Sequence, residues 1–207
     1  MSSVSQMLPV AGRISLPAAS DLEVARAAWR RRALLVGGGF QVVFGAFWLA
    51  RGLAAFAPPV VAIAAGASAL GAGMTAVVAL RRSAPRPQGP AARTIERRLT
   101  VATVGQVLAS FILPVVIGAA AGPRLVVPSI VLTIGLLLVW IHREVDTPYQ
   151  GAAGWVLISL AAASALIDGD VPTAVAGLAV AAILLGCAAA GFRWIRHHAD
   201  TRPDEVT

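Results

Sequence analysis

Six stretches of this chain, at 33–50, 58–80, 99–121, 125–141, 151–167 and 171–192, contain no Asp, Glu, Lys, Arg or His. Each is 17 to 23 residues long, the length an apolar helix needs to cross the ~30 Å hydrocarbon core of a bilayer. Together they take up 120 of the 207 residues. Hydrophobic residues make up 57% of the chain and charged residues 13%, with a mean hydropathy of +0.78. A soluble domain carries about 25% charged residues and could not enclose this much apolar surface in a core of its size. Transmembrane barrel strands would show alternating segments of about ten residues, whereas these runs are continuously apolar. The sequence therefore predicts an all-α polytopic membrane bundle of six transmembrane helices. Short turns on one side and longer connections on the other suggest three helical hairpins.

Orientation follows from the basic residues flanking the spans. All seventeen are arginine, a bias that codon usage in a high-GC genome explains as well as any function. Fifteen lie on one side, in the N-terminal flank, the connection between spans two and three, the loop after span four and the C-terminal tail. Only Arg51 and Arg124 lie on the other. Basic loops stay cytoplasmic, so both termini are expected inside a bacterial inner membrane. The formal charge of +7 and pI near 11.5 would suggest nucleic acid in a soluble chain. Beside apolar spans the same charge points to anionic lipid headgroups instead, with Arg30, Arg31, Arg32, Arg81, Arg82, Arg97, Arg98, Arg193 and Arg196 at the headgroup level. No nucleic-acid partner is expected.

The region 1–32 reads as a cytoplasmic tail, not a secretory signal, because its first twenty residues lack a basic start and an apolar run. Ser20-Asp21-Leu22-Glu23 fits a capping box, so a short helix is expected to start there and run through Trp29 into span one. The stretch 83–92, with Pro85, Pro87 and Pro90, reads as an exposed linker. Residues 193–207 are expected to form the second cytoplasmic tail.

Arg32, Gln41 and Pro58 recur as Arg97, Gln106 and Pro123, each 65 residues later, which suggests duplication of a two-helix unit. Small residues mark expected helix contacts: Gly37-Gly38-Gly39 in span one, Gly118-xxx-Gly122, and Gly71 and Gly186, each four residues after an alanine. Pro114 and Pro128 are expected to kink spans three and four.

Polar chemistry inside the spans is sparse. Proton-coupled carriers place ionisable groups in the membrane, and these spans hold none. Gln41 and Gln106 are the most polar candidates. Two amides can satisfy each other across helices, and a structural clamp is the expectation; lining a substrate cavity is the alternative. His142, Glu144 and Asp146 alternate on a short loop, which reads as a connector with Arg143 paired to an acid rather than as a metal site. His197-His198 belongs to the tail, Asp168-Gly169-Asp170 to a turn, and Cys187 to helix packing. No nucleophile elbow, zinc-protease motif or phosphate loop is present, and the serines in the spans have no base to activate them. The chain is read as no enzyme, without cofactor or metal. It is expected to work by association with itself or another membrane protein, or alternatively as a small permease or channel for a neutral or apolar solute.

The stretch from Pro128-Ser129-Ile130 through Gly135, His142 and Pro148-Tyr149 to Gly154 resembles small six-span membrane proteins of unknown function common in actinobacteria. The hairpin repetition is similar to that of the acid-resistance membrane protein family. Both resemblances imply a six-helix membrane fold, and neither supplies catalytic residues.

Overall fold

The computed structural model describes residues 19–167 and 169–198, with side chains from Glu23 onward. Among them are six α-helices: α1 (Ala19–Leu53), α2 (Pro59–Leu80), α3 (Pro90–Ala121), α4 (Val126–Val145), α5 (Gln150–Ala165) and α6 (Asp170–His197). Five of them are long and apolar enough to cross a membrane. Helices suit an apolar solvent because they satisfy their backbone groups internally. Prolines open α2 and α3, where the first turn lacks acceptors for its N–H groups anyway. Gly122, at φ 94°, ends α3, a left-handed conformation that a side chain would disfavour.

The arrangement is read most directly from glycines. Along α1, Gly38, Gly45 and Gly52 face Phe192, Leu185 and Leu178 of α6. The steps are seven residues forward on one helix and seven back on the other, so α6 runs antiparallel to α1 with bulky side chains set into a glycine groove. On another side of α1, Gly66 of α2 lies against the Ala46 carbonyl and Gly73 against Val42. Gly135 of α4 and Gly154 of α5 press on each other's backbone. The main core joins Trp48 of α1 to Val131, Ile134 and Leu138 of α4, Leu157 of α5 and Val180 and Leu184 of α6. Helices α2 and α3 are peripheral, with only two buried residues each, against ten in α4 and eleven in α6. Lipid solvates exposed valines and phenylalanines as well as a protein core does.

One end of the bundle gathers the amino ends of α1, α3 and α5 with the carboxyl ends of α2, α4 and α6. Every described arginine except Arg51 and Arg124 belongs to this arginine end.

Several expectations change. Helix α5 has 16 residues and ends at Ala165, not at 167, leaving it about 24 Å long and below the usual length of a span. It lies chiefly against α4 while α6 lies chiefly against α1, so the third hairpin is not a closed pair. The first helix has already begun at Ala19, which places Ser20 inside its first turn rather than ahead of it; the side chains of Ser20, Asp21 and Leu22 lie outside the described residues, as does Asp168. The linker is shorter than expected, because Pro90 begins α3, and it is not wholly exposed: Ala84 and Ala92 are buried. Pro128 is the third residue of α4, where no intrahelical hydrogen bond is lost, so a kink has no cause there. Pro114 does lie inside α3.

The packing glycines divide. Gly37, Gly38 and Gly39 face Gln150, Phe192 and Val77. Gly118 faces Val126 across its own hairpin, whereas Gly71, Gly122 and Gly186 have open space where a side chain would stand. A one-turn spacing of small residues marks a helix face but not whether another helix lies on it.

Candidate functional site

Near the arginine end α1 and α3 are packed together. Ala25, Trp29 and Ala33 meet Ala92 and Ile95, and Trp29 Nε1 donates to the Ala92 carbonyl at 2.9 Å. Deeper in the bundle the two helices part, and a cavity of about 480 Å³ lies between α1, α3 and α4. That volume is in the range of small-molecule sites, about 300–1,000 Å³. Phe40, Phe44, Leu99, Val107, Leu137 and Leu138 supply mostly apolar walls. Val36 and Phe40 are 44% and 46% exposed at its rim, and Val104 and Val107 are exposed opposite them. The cavity thus opens through the side of the bundle, toward where hydrocarbon would be.

Its polar groups run inward from the arginine end. At the arginine end stand Arg32, Arg86 and Glu96. Arg86 is ion-paired to Glu96, and Arg32 Nη1 donates to the Ala84 carbonyl at 3.4 Å. About 14 Å deeper along the helices come Gln41, Gln106 and Ser110. On α3 the residues Thr100, Thr103, Gln106 and Ser110 follow at steps of three and four, which keeps all four on one helix face. The spacing of that polar stripe is present in the sequence itself.

The two glutamines line the same cavity from different helices. Gln106 is half-buried, and its Nε2 donates to Ser110 Oγ at 3.1 Å, one turn along its own helix. Gln41 is 4% exposed and its Nε2 has no hydrogen-bond partner. The Cys187 thiol of α6 is adjacent to the Gln41 side chain without meeting hydrogen-bond geometry to that nitrogen. Leaving a buried amide donor unmade costs about 1–3 kcal/mol. Trp48 Nε1 is also without a partner, but Trp48 belongs to the main core and does not line the cavity.

Around the arginine end the charges pair between helices. Arg30 Nη2 donates to Asp146 Oδ2 at 2.8 Å, and Arg98 Nη1 to Glu144 Oε1 at 3.1 Å. These bonds replace the expected pairing of Arg143 with an acid. Arg143 and Glu144 are consecutive on α4 and point apart, while Asp146 has left the helix at φ 48°. Arg81, Arg82, Arg97, Arg193 and Arg196 are exposed around the same end, and Arg31 and Arg32 are half-buried.

The turn from α4 to α5 is built on a polar cluster that the sequence did not reveal. Thr147 Oγ1 donates to Gln150 Oε1 at 2.6 Å, both side chains being buried, and His142 Nδ1 lies 2.9 Å from the Thr147 carbonyl. A carbonyl only accepts, so Nδ1 carries the proton. His142, Glu144 and Asp146 therefore each have a different partner. No group of three or more His, Cys, Asp or Glu gathers among the described residues. His198 stacks on Trp194 at 4.3 Å, at the end of α6. Comparison with known proteins gives no likeness to argue from: no family model, no curated protein and no solved structure matches this chain.

Proposed function

We propose that this is a multi-pass membrane protein that binds a neutral, largely apolar solute in the cavity between α1, α3 and α4, as a small permease does, without covalent chemistry. The carrying observation is Gln41, which lines a cavity otherwise walled mainly by hydrocarbon and whose amide nitrogen is buried without a partner. With the amide turned into the cavity, a solute bearing a carbonyl or other acceptor would satisfy it, and the side opening would admit such a molecule from the bilayer. A diazirine-bearing long-chain ketone added to native membranes is expected to label the cavity faces at 36–44 and 100–110 several-fold above the lipid-exposed face of α2 at 60–78. Labelling in simple proportion to lipid exposure would sink this reading.

Six crossings are part of the proposal. The antiparallel seating of α6 on α1 supports them, since a chain leaving α4 at the arginine end must reach the opposite end before α6 begins. Residues 146–149, ahead of the short α5, add to its reach. The concentration of arginine at one end supports a cytoplasmic location for it and for both termini, in a bacterial inner membrane. Reporter domains fused after Arg82 and after Asp170 should report opposite sides; agreement between them would defeat the topology. A duplicated two-helix unit is supported by Pro58 and Pro123, which stand at the entry to α2 and to the short 3-10 turn leading into α4.

Association with itself or another membrane protein is a second reading. Gly71 and Gly186 favour it, because each leaves room on an outer face for a close helix. A purified protein that is strictly monomeric by native mass spectrometry would count against it.

A further inference from the structure

A second concavity lies on the outer face, between α1 and α2. It has a volume of about 390 Å³ and is a groove rather than an enclosed space. Leu35, Val36, Phe40 and Val43 of α1 line one side, and Met74 and Val77 of α2 the other. Arg32 and Arg81 stand together at its arginine end. We propose that this groove is a binding site for one anionic phospholipid of the adjacent leaflet, with its phosphate held between Arg32 and Arg81 and an acyl chain lying along the apolar channel.

Length, charge and shape support that occupant. From Arg32 to Val43 is eleven residues, or about 16 Å along a helix. One leaflet of a ~30 Å hydrocarbon core is about 15 Å deep. The channel therefore runs from headgroup level to the region of the midplane, the path of one chain.

The charges at its head are available. Among the described residues Arg30, Arg86 and Arg98 are bound to carboxylates, whereas Arg32 and Arg81 have no acidic partner. Arg32 spends one guanidinium N–H on the long contact to the Ala84 carbonyl and keeps the rest of its fork. Guanidinium groups bind phosphate through paired, charge-assisted hydrogen bonds. The Ala84 contact also holds Arg32 near the groove, which reduces the ordering that binding requires.

Gly39 gives the groove its floor. A Cβ there would meet Val77 at an ordinary 3.7 Å, so the missing side chain leaves space for a ligand rather than for a tight helix crossing. The groove is distinct from the solute cavity and shares Arg32, Val36 and Phe40 with its lining.

Native mass spectrometry of the whole protein, exchanged into detergent with equal amounts of dioleoyl phosphatidylglycerol and dioleoyl phosphatidylcholine, tests this. One phosphatidylglycerol should be retained per chain, preferred about 30-fold over phosphatidylcholine, the scale of two guanidinium groups near a membrane surface. The double variant Arg32→Gln/Arg81→Gln should lose that preference, while Arg193→Gln/Arg196→Gln, at the same end but outside the groove, should keep it. Gly39→Leu fills the channel with both arginines in place and should reduce lipid retention at least tenfold, with the thermal transition of each variant showing that it is folded. Excess glycerol phosphate should not displace the lipid, because a free phosphate lacks the chain. Equal loss in both arginine pairs would reduce the effect to diffuse charge and overturn the site. So would full retention by Gly39→Leu, or displacement by glycerol phosphate.

Discussion

Gln41→Leu is expected to stabilise the empty protein and to weaken its hold on a carbonyl-bearing solute. In the structure Gln41 lines the cavity and its amide nitrogen is buried without a partner. Leucine has nearly the same volume and leaves nothing unsatisfied, so the variant should gain about 1–3 kcal/mol, the penalty of a buried unmade donor. For a chain of this size each kcal/mol is worth about 2–4 °C in the transition temperature. Thermal unfolding in detergent, followed by tryptophan fluorescence, measures it. Labelling of the cavity faces by the diazirine ketone should fall by about tenfold, the worth of one hydrogen bond. The opposite signs make the test sharp. A clamp between Gln41 and Gln106 predicts instead that Gln41→Leu destabilises, and a less stable variant would restore the clamp and remove the main support for a solute site.

The glycine contacts give the other strong contrast. At Gly154 a Cβ would lie 2.7 Å from the Gly135 carbonyl oxygen, and at Gly135 one would lie 2.8 Å from the Gly154 carbonyl oxygen. Both obstacles are backbone, which cannot swing aside. Gly154→Ala should therefore lose about 2–3 kcal/mol by forcing α4 and α5 apart, although alanine is the better helix former. Gly71→Ala meets nothing within 4 Å and should be unchanged, or more stable by up to about 1 kcal/mol. Calorimetry of the two purified variants decides. Equal stability would mean that the α4–α5 crossing is looser than its geometry implies. Loss at Gly71 alone would place a partner helix on the outer face of α2.

The helices were largely legible from the chain because the signals that make them are local. An uncharged apolar run of the right length has few options, and the glycine and proline at Gly122-Pro123 stop one helix and start the next wherever they fold. The arginine end was legible for the same reason, since each charge sits next to the span it flanks. Even Gln41 and Gln106 stood out as the most polar residues among hydrocarbon.

Burial was another matter. Helices α2 and α6 are both strongly apolar, yet one buries two residues and the other eleven. In water a core face declares itself because the opposite face must be polar. In a bilayer both faces are apolar, so periodicity carries little information about which one meets protein. Gly71 and Gly186 therefore carry the same sequence signal as Gly38, and the seven-residue series Gly38, Gly45 and Gly52 gains its meaning only from Phe192, Leu185 and Leu178, which fill it. The cavity is likewise a property of three helices at once. The polar stripe of α3 from Thr100 to Ser110 belongs to one chain segment. That it faces an open space, and that Gln41 borders that space, depends on α3 parting from α1 beyond Ile95, a packing outcome no single helix encodes.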